Sequence, residues 1–217
     1  MLANERALLG KRTTFLNLEH KESQAMLFFI GGAARTGKGM LTRRLLAEMQ
    51  LPYLSLDVLK MGLTRGVPEY SIDPDAGGMQ VATRLWPLVR EMCINLLHEQ
   101  VDYVFEGEIL PRDVAALRSE YPIQVCGLFL GYSTVTPRQK LDEIRTHAGF
   151  PNDWPQEYSD AALLAIINRE IAFSQYLQAE CLKHHFRYFD SSHRFMQVLD
   201  EVVAYISNEV ASSKKAI

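Results

Sequence analysis

The stretch GGAARTGKGM, residues 31–40, contains the residue types that bind phosphate. The pattern G-x-x-x-x-G-K begins at Gly32 and ends at Lys38. A glycine-rich turn that opens a helix points successive backbone N–H groups at one spot, and the helix dipole favours an anion there. Lysine adds a mobile cation for the outer phosphates. Nucleotide contacts are therefore expected from Gly32, Ala33, Ala34, Arg35, Thr36, Gly37, Lys38, Gly39 and Met40. Gly39 stands where the common form of the pattern carries Ser or Thr to hold magnesium. Either the metal ligand has moved, or the stretch is only a glycine-rich turn with a solvated lysine. The strand-like run before it and the helix-like run after it favour the phosphate cradle.

Two carboxylates stand where a cradled phosphate could use them. Asp57 closes the apolar stretch PYLSL, and a carboxylate there can orient an acceptor hydroxyl or a metal-bound water. Asp also suits the cap of the following helix, and the two roles are compatible. Glu106 follows YVF and precedes Gly107, which lets a ligand come close; a salt-bridged carboxylate at the core edge is the alternative. Arg65, in GLTRGVP, is suited to clamping an acceptor's phosphate or carboxylate, or to a solvated loop. PRQKLDEIR places Arg138, Lys140 and Arg145 between proline-rich turns, and Arg138 and Arg145, seven residues apart, share a helical face. A segment closing over transferring phosphates needs such cations, while Asp142 and Glu143 among them fit a solvated charged helix. His184 and His185 suit a helix C-terminus. The stretch DPDAGG has Arg84 where a calcium loop needs glutamate, so no metal site is expected.

These residues must be placed by an alternating series of elements. AMLFFI is a continuous apolar run, the mark of a strand buried on both faces. A helix follows from Lys38, with Met40, Leu41, Leu45, Leu46 and Met49 at helical spacing. PYLSL gives a second strand ending at Asp57, and GVPEYSIDPDAGG a loop. MQVATRLWPLVREMCINLLHEQ is a long helix that Pro87 should kink or split. DYVFEGE and IQVCGLFLGY are strands around the helix PRDVAALRSEY, which has Pro111 near its start. DAALLAIINREIAFSQYLQAECLKHH is a long helix, FRYFD a fifth strand, and RFMQVLDEVVAYISNEV a closing amphipathic helix. Strands alternating with helices predict an α/β, three-layer αβα fold with a five-stranded parallel sheet and ligands outside the carboxyl ends of its strands. Residues 1–24 read as an N-terminal extension. A single domain over 25–210 would carry a mobile acceptor-binding region near 58–80 and a small helical lid near 131–159. Residues 211–217 form a tail.

The loop GGAARTGKGM resembles that of adenylate kinases and related small-molecule kinases, in which G-K-G-T replaces G-K-[ST]. The resemblance implies the P-loop NTPase fold and ATP as cofactor, with Mg2+ held mainly through phosphates and water. Met40 departs from the family's Thr, which leaves Thr36 and Thr42 as the nearest hydroxyls. VFEGEILPR resembles the family's strand followed by D-G-x-P-R, with Glu106 in the acid's place and two extra residues before Pro111 and Arg112. FEG…LP, FLGY and NDW (Asn152, Asp153, Trp154) also resemble 2-phosphoglycerate-kinase-like proteins. By this resemblance Lys38, Asp57, Glu106, Arg138 and Arg145 carry catalysis, and Asp57, Arg65, Glu106 and Arg112 bind the acceptor.

Bulk properties narrow the alternatives. A net charge of −3 offers no global basic field for nucleic acid or an anionic membrane. The longest apolar run, around 25–34, is too short to span a bilayer, and the N-terminus lacks a signal-peptide pattern. Cys93, Cys126 and Cys181 are odd in number and far apart, which fits a reducing compartment and a cytoplasmic protein. The expected activity is transfer of the ATP γ-phosphoryl group to a small-molecule acceptor. A P-loop ATPase lacks support, because no apolar strand ends in the Asp-Glu pair such proteins use. A nucleotide-binding regulatory protein without turnover stays open because of Met40.

Overall fold

In the computed structural model, residues 24–147 and 153–213 are described. The expected N-terminal extension, Gly149, Pro151, Asn152 and the last four tail residues lie outside them. Five strands form one all-parallel sheet in the order β2-β3-β1-β4-β5: β1 Leu27–Gly32, β2 Tyr53–Ser55, β3 Tyr103–Gly107, β4 Val125–Gly131 and β5 Arg187–Asp190. Seven α-helices connect and flank them: α1 Lys38–Met49, α2 Leu56–Gly66, α3 Gly78–His98, α4 Pro111–Glu120, α5 Pro137–Thr146, α6 Asp160–His184 and α7 Phe195–Ser213. The α/β expectation holds.

The central strand is buried on both faces, as its unbroken apolar run required. Leu27 and Phe29 join one core with Phe105, Phe129 and the inner sides of α3, α4 and α6. Phe28 and Ile30 join the opposite core with Leu128, Leu130, α1 and α7. A third, smaller core seats α5 on α6 through Leu141, Ile144, Leu163 and Ile167. Alternate residues of one strand thus commit the sheet to a helical layer on each side.

Of the kink or split expected at Pro87, the split does not occur, because α3 runs from Gly78 to His98 around it. Proline removes one hydrogen bond there, whereas buried Val81, Leu85, Val89, Cys93 and Leu97 hold the helix to the core on both sides of it. The second strand stops at Ser55, so Asp57 belongs to the first turn of α2 rather than to a strand end. The closing helix also runs past residue 210, to Ser213. Cys93, Cys126 and Cys181 are free and buried, and burial pushes each thiol up to about 12. No helix among the described residues is long and apolar enough to cross a membrane.

Candidate active site

The loop leaves β1 at Gly32 and enters α1 at Lys38, with Gly37 as the N-cap in a left-handed conformation, φ 87°. A side chain at 37 would also press on the ring of Phe195, since a Cβ there would lie 2.7 Å from it. Thr36 turns its hydroxyl onto the Ala33 carbonyl at 2.9 Å. Lys38 folds back over the loop and donates to the carbonyls of Gly32 at 3.0 Å and Ala33 at 2.7 Å. The Ala34 N–H donates to the buried Glu170 carboxylate on α6 at 2.8 Å. The next five N–H groups, those of Arg35, Thr36, Gly37, Lys38 and Gly39, find no acceptor among the described residues. Five adjacent donors left open at the start of a helix are a binding surface for an anion.

Those donors face a cavity of about 680 Å³. One wall is the loop with Met40 and Arg43; another is Lys140, Glu143, Ile144 and His147 of α5 and its end; a third is Ser191–His193 with Phe195 and Met196 at the start of α7. Glu106 lines it from β3, where it pairs in register with Ile30 of β1, two residues before Gly32. Its carboxylate makes no hydrogen bond or ion pair among the described residues. The other carboxylate in the cavity, Glu143, is bonded to Lys140 Nζ at 3.0 Å. Lys140 is buried, with its ammonium 4.5 Å from the centre of the Tyr132 ring. Burial draws the Lys140 pKa down, and Glu143 only partly offsets it.

A neighbouring brace fixes the rim. Asp190 at the end of β5 accepts from the Ser133 N–H and hydroxyl and from the Ser192 N–H at 2.8 Å. Burial alone would raise this carboxyl, but those hydrogen bonds outweigh it and hold the pKa below the usual value. The ends of β4 and β5 are thereby stapled together beside the cavity.

Of the residues expected from the sequence, Arg35–Met40 and Glu106 meet in this cavity. Gly32, Ala33 and Ala34 form the base of the loop behind it. The remaining candidates lie elsewhere. Asp57 is more than half exposed and paired with Lys60 at 2.6 Å. Lys60 also approaches Glu108 at 3.5 Å; burial lowers its pKa, but the two acids outweigh that and raise it. Arg65 ends α2 on the surface. Arg112 contacts Asp113 and Thr83. Arg138 is mostly exposed and paired with Asp142 at 3.3 Å. Arg145 is a brace: it donates to Asp160, to the Pro155 carbonyl at 2.9 Å and to the Tyr158 carbonyl at 2.6 Å. Arg138 and Arg145 do share a face, but neither lines the cavity. Lys140, the third cation expected of this segment, does line the cavity; Glu143, Ile144 and His147, which line it too, were missed, although buried Leu141 and Ile144 mark the inner face. Ser191–Met196 was missed because nothing in SSHRFM has a characteristic spacing.

Replacing Arg145 by Ala should therefore act on stability. Losing this charge-assisted set costs about 2 kcal/mol, or a melting point lower by about 4–8 °C. Differential scanning calorimetry checks the shift. A steady-state loss at unchanged melting temperature would return the residue to phosphate chemistry.

A strand, a phosphate-loop turn and a helix at the centre of a 2-3-1-4-5 parallel sheet constitute the fold of P-loop kinases. Solved structures share it: a shikimate kinase from Bacteroides thetaiotaomicron matches with TM-score 0.53 at 14% identity, over 84% of this chain and 98% of that one. A structure from Chloroflexus aurantiacus matches at 0.55 and 15%, over 88% and 98%. A gluconokinase from Sinorhizobium meliloti matches at 0.50 and 13%, over 90% and 97%. No protein-family model matches the sequence, and no curated protein matches it.

Proposed function

We propose that the protein is an ATP-dependent phosphotransferase acting on a small-molecule acceptor. The observation that carries this is the run of five open N–H donors, Arg35–Gly39, in a cavity shared with the unpaired carboxylate of Glu106. The N–H groups and Lys38 take the β- and γ-phosphates of ATP, and the wall of Ile144, Phe195 and Met196 takes the base. Glu106 accepts the acceptor's hydroxyl proton as that oxygen bonds to the γ-phosphorus. The bond from phosphorus to the bridging oxygen breaks, and ADP leaves with its electron pair.

The residues fit magnesium only through the nucleotide. Thr36 and Thr42 give their hydroxyls to the carbonyls of Ala33 and Gly39, and Met40 has none. Among the described residues, no group of three or more ligating side chains exists. The ion would be held by phosphates and water and would supply charge neutralisation on the phosphates. The remaining expectations stand within this proposal. Asp57, Arg65 and Arg112 serve the acceptor, and partners are a nucleotide and a small molecule in the cytoplasm.

Glu106→Gln keeps the shape and removes the base. The expected result is a kcat lower by about 10²–10⁴-fold, with ATP affinity within about threefold of wild type. Titration calorimetry and a coupled ADP-release assay across a metabolite panel separate the two effects. An equal loss in binding would make Glu106 a metal or structural residue. Met40 in the metal-side position favours a second reading, a nucleotide-binding protein without turnover. It predicts ATP binding that no acceptor in the panel converts into ADP release.

A further inference from the structure

Arg35 sits at the apex of the phosphate loop with φ 61°, in the left-handed region. Glycine enters that region freely, and arginine does so at a cost. Gln50, Ser71, Gln100 and His185 share the conformation, but Gln50, Ser71 and His185 are helix C-caps and Gln100 directly follows the C-cap of α3, places where it is ordinary. Arg35 instead stands among the open amides of the loop, and its side chain lines the cavity.

Its guanidinium is held loosely. It lies 3.3 Å from the His147 carbonyl and 3.8 Å from the Asp153 carboxylate, and its side chain is 19% exposed. The other cations of the cavity are differently placed. Lys38 spans the loop's own carbonyls, Lys140 is buried against Glu143, and Arg43 lies beyond the first turn of α1. Arg138 and Arg145 are directed away from it. A transferring phosphoryl group spreads charge over its equatorial oxygens, and a planar guanidinium matches two of them at once.

We propose that Arg35 is a catalytic residue, a guanidinium supplied by the phosphate loop itself to the γ-phosphoryl group in transfer, in the part expected of Arg138 and Arg145. This rests on the kinase reading. Arg35 adds no bond change to the transfer already written; it stabilises the charge that moves from the γ-phosphoryl group toward ADP.

Calorimetric affinities for ADP alone and for ADP with aluminium fluoride, which mimics the phosphoryl group in transfer, test this in the presence of magnesium. Wild type should bind the fluoride complex more tightly. Arg35→Gly should lose about 10²-fold of that preference while its affinity for ADP alone changes less than about threefold. Its ligand-free melting temperature should stay level or rise, since glycine accepts the backbone at 35. Arg35→Lys keeps the charge without the fork and should retain part of the preference. Three results overturn the proposal: a preference intact in Arg35→Gly, a wild type with equal affinities, or Asp153→Asn reproducing the Arg35→Gly loss, which would make the residue only a clasp. A wild type that binds neither complex, and behaves like Lys38→Ala, sinks the kinase reading too. That failure is visible before any Arg35 variant is measured.

Discussion

Lys38→Ala should lower ATP affinity by about 10²-fold, since a lysine–phosphate contact in a cradle is a charge-assisted hydrogen bond with added Coulomb attraction. At an ATP concentration of about 100 times the wild-type Kd, the ligand stabilises the native state by about 2.7 kcal/mol, and in the variant by about 0.4 kcal/mol. The ATP-induced rise in melting temperature should therefore nearly vanish. The substitution is not silent without nucleotide. Lys38 donates to the carbonyls of Gly32 and Ala33, so the free variant should also melt a few degrees lower. An ATP-induced shift of wild-type size would mean that Arg35–Gly39 is an ordinary turn.

The second large effect belongs to Gly37→Val. The residue has φ 87°, and a Cβ there would stand 2.7 Å from Phe195 Cζ and 3.1 Å from Leu199 Cδ2. A β-branched side chain adds left-handed strain to an overpacked contact with α7, together about 2–5 kcal/mol. The melting point should fall by about 5–20 °C, and nucleotide binding should be lost with it because the loop amides would be re-aimed. Chemical denaturation followed by tryptophan fluorescence measures the first, calorimetry the second. A stable Gly37→Val protein that still bound ATP would show that neither the φ nor the packing at 37 matters.

Much of the architecture could be read directly from the chain, because parallel strands buried on both faces leave unbroken apolar runs. AMLFFI needed no partner information to be read as a strand buried on both faces. The phosphate loop was legible for a related reason: its chemistry is carried by backbone amides, so local geometry suffices. Side-chain chemistry that depends on tertiary direction was harder. Arg138 and Arg145 had the right charge on a common face, yet neither lines the cavity: Arg138 pairs with Asp142, and Arg145 reaches Asp160 and the backbone just before it. The placing of Asp57 at a strand end missed by one boundary: α2 begins at Leu56, and one helical turn places Lys60 against Asp57. The wall at Ser191–Met196 depends on how α7 returns across the sheet, which its amphipathic pattern does not encode.

The position of β1 sets where the molecule can yield. It is hydrogen-bonded on one side to β3 and on the other to β4, with large aromatic side chains above and below. A shift of the strand would open two ladders at once, so the amides at its end are carried on a support anchored on both sides. The opposite wall has no such support. The helix α5 rests on α6 through a small core of its own, and Arg145 ties it to Asp160 and the backbone just before it. Compliance is therefore distributed unevenly around one cavity. On the proposed function, a nucleotide entering it would meet a cradle that keeps its shape, and any adjustment in fit would come from the wall facing that cradle.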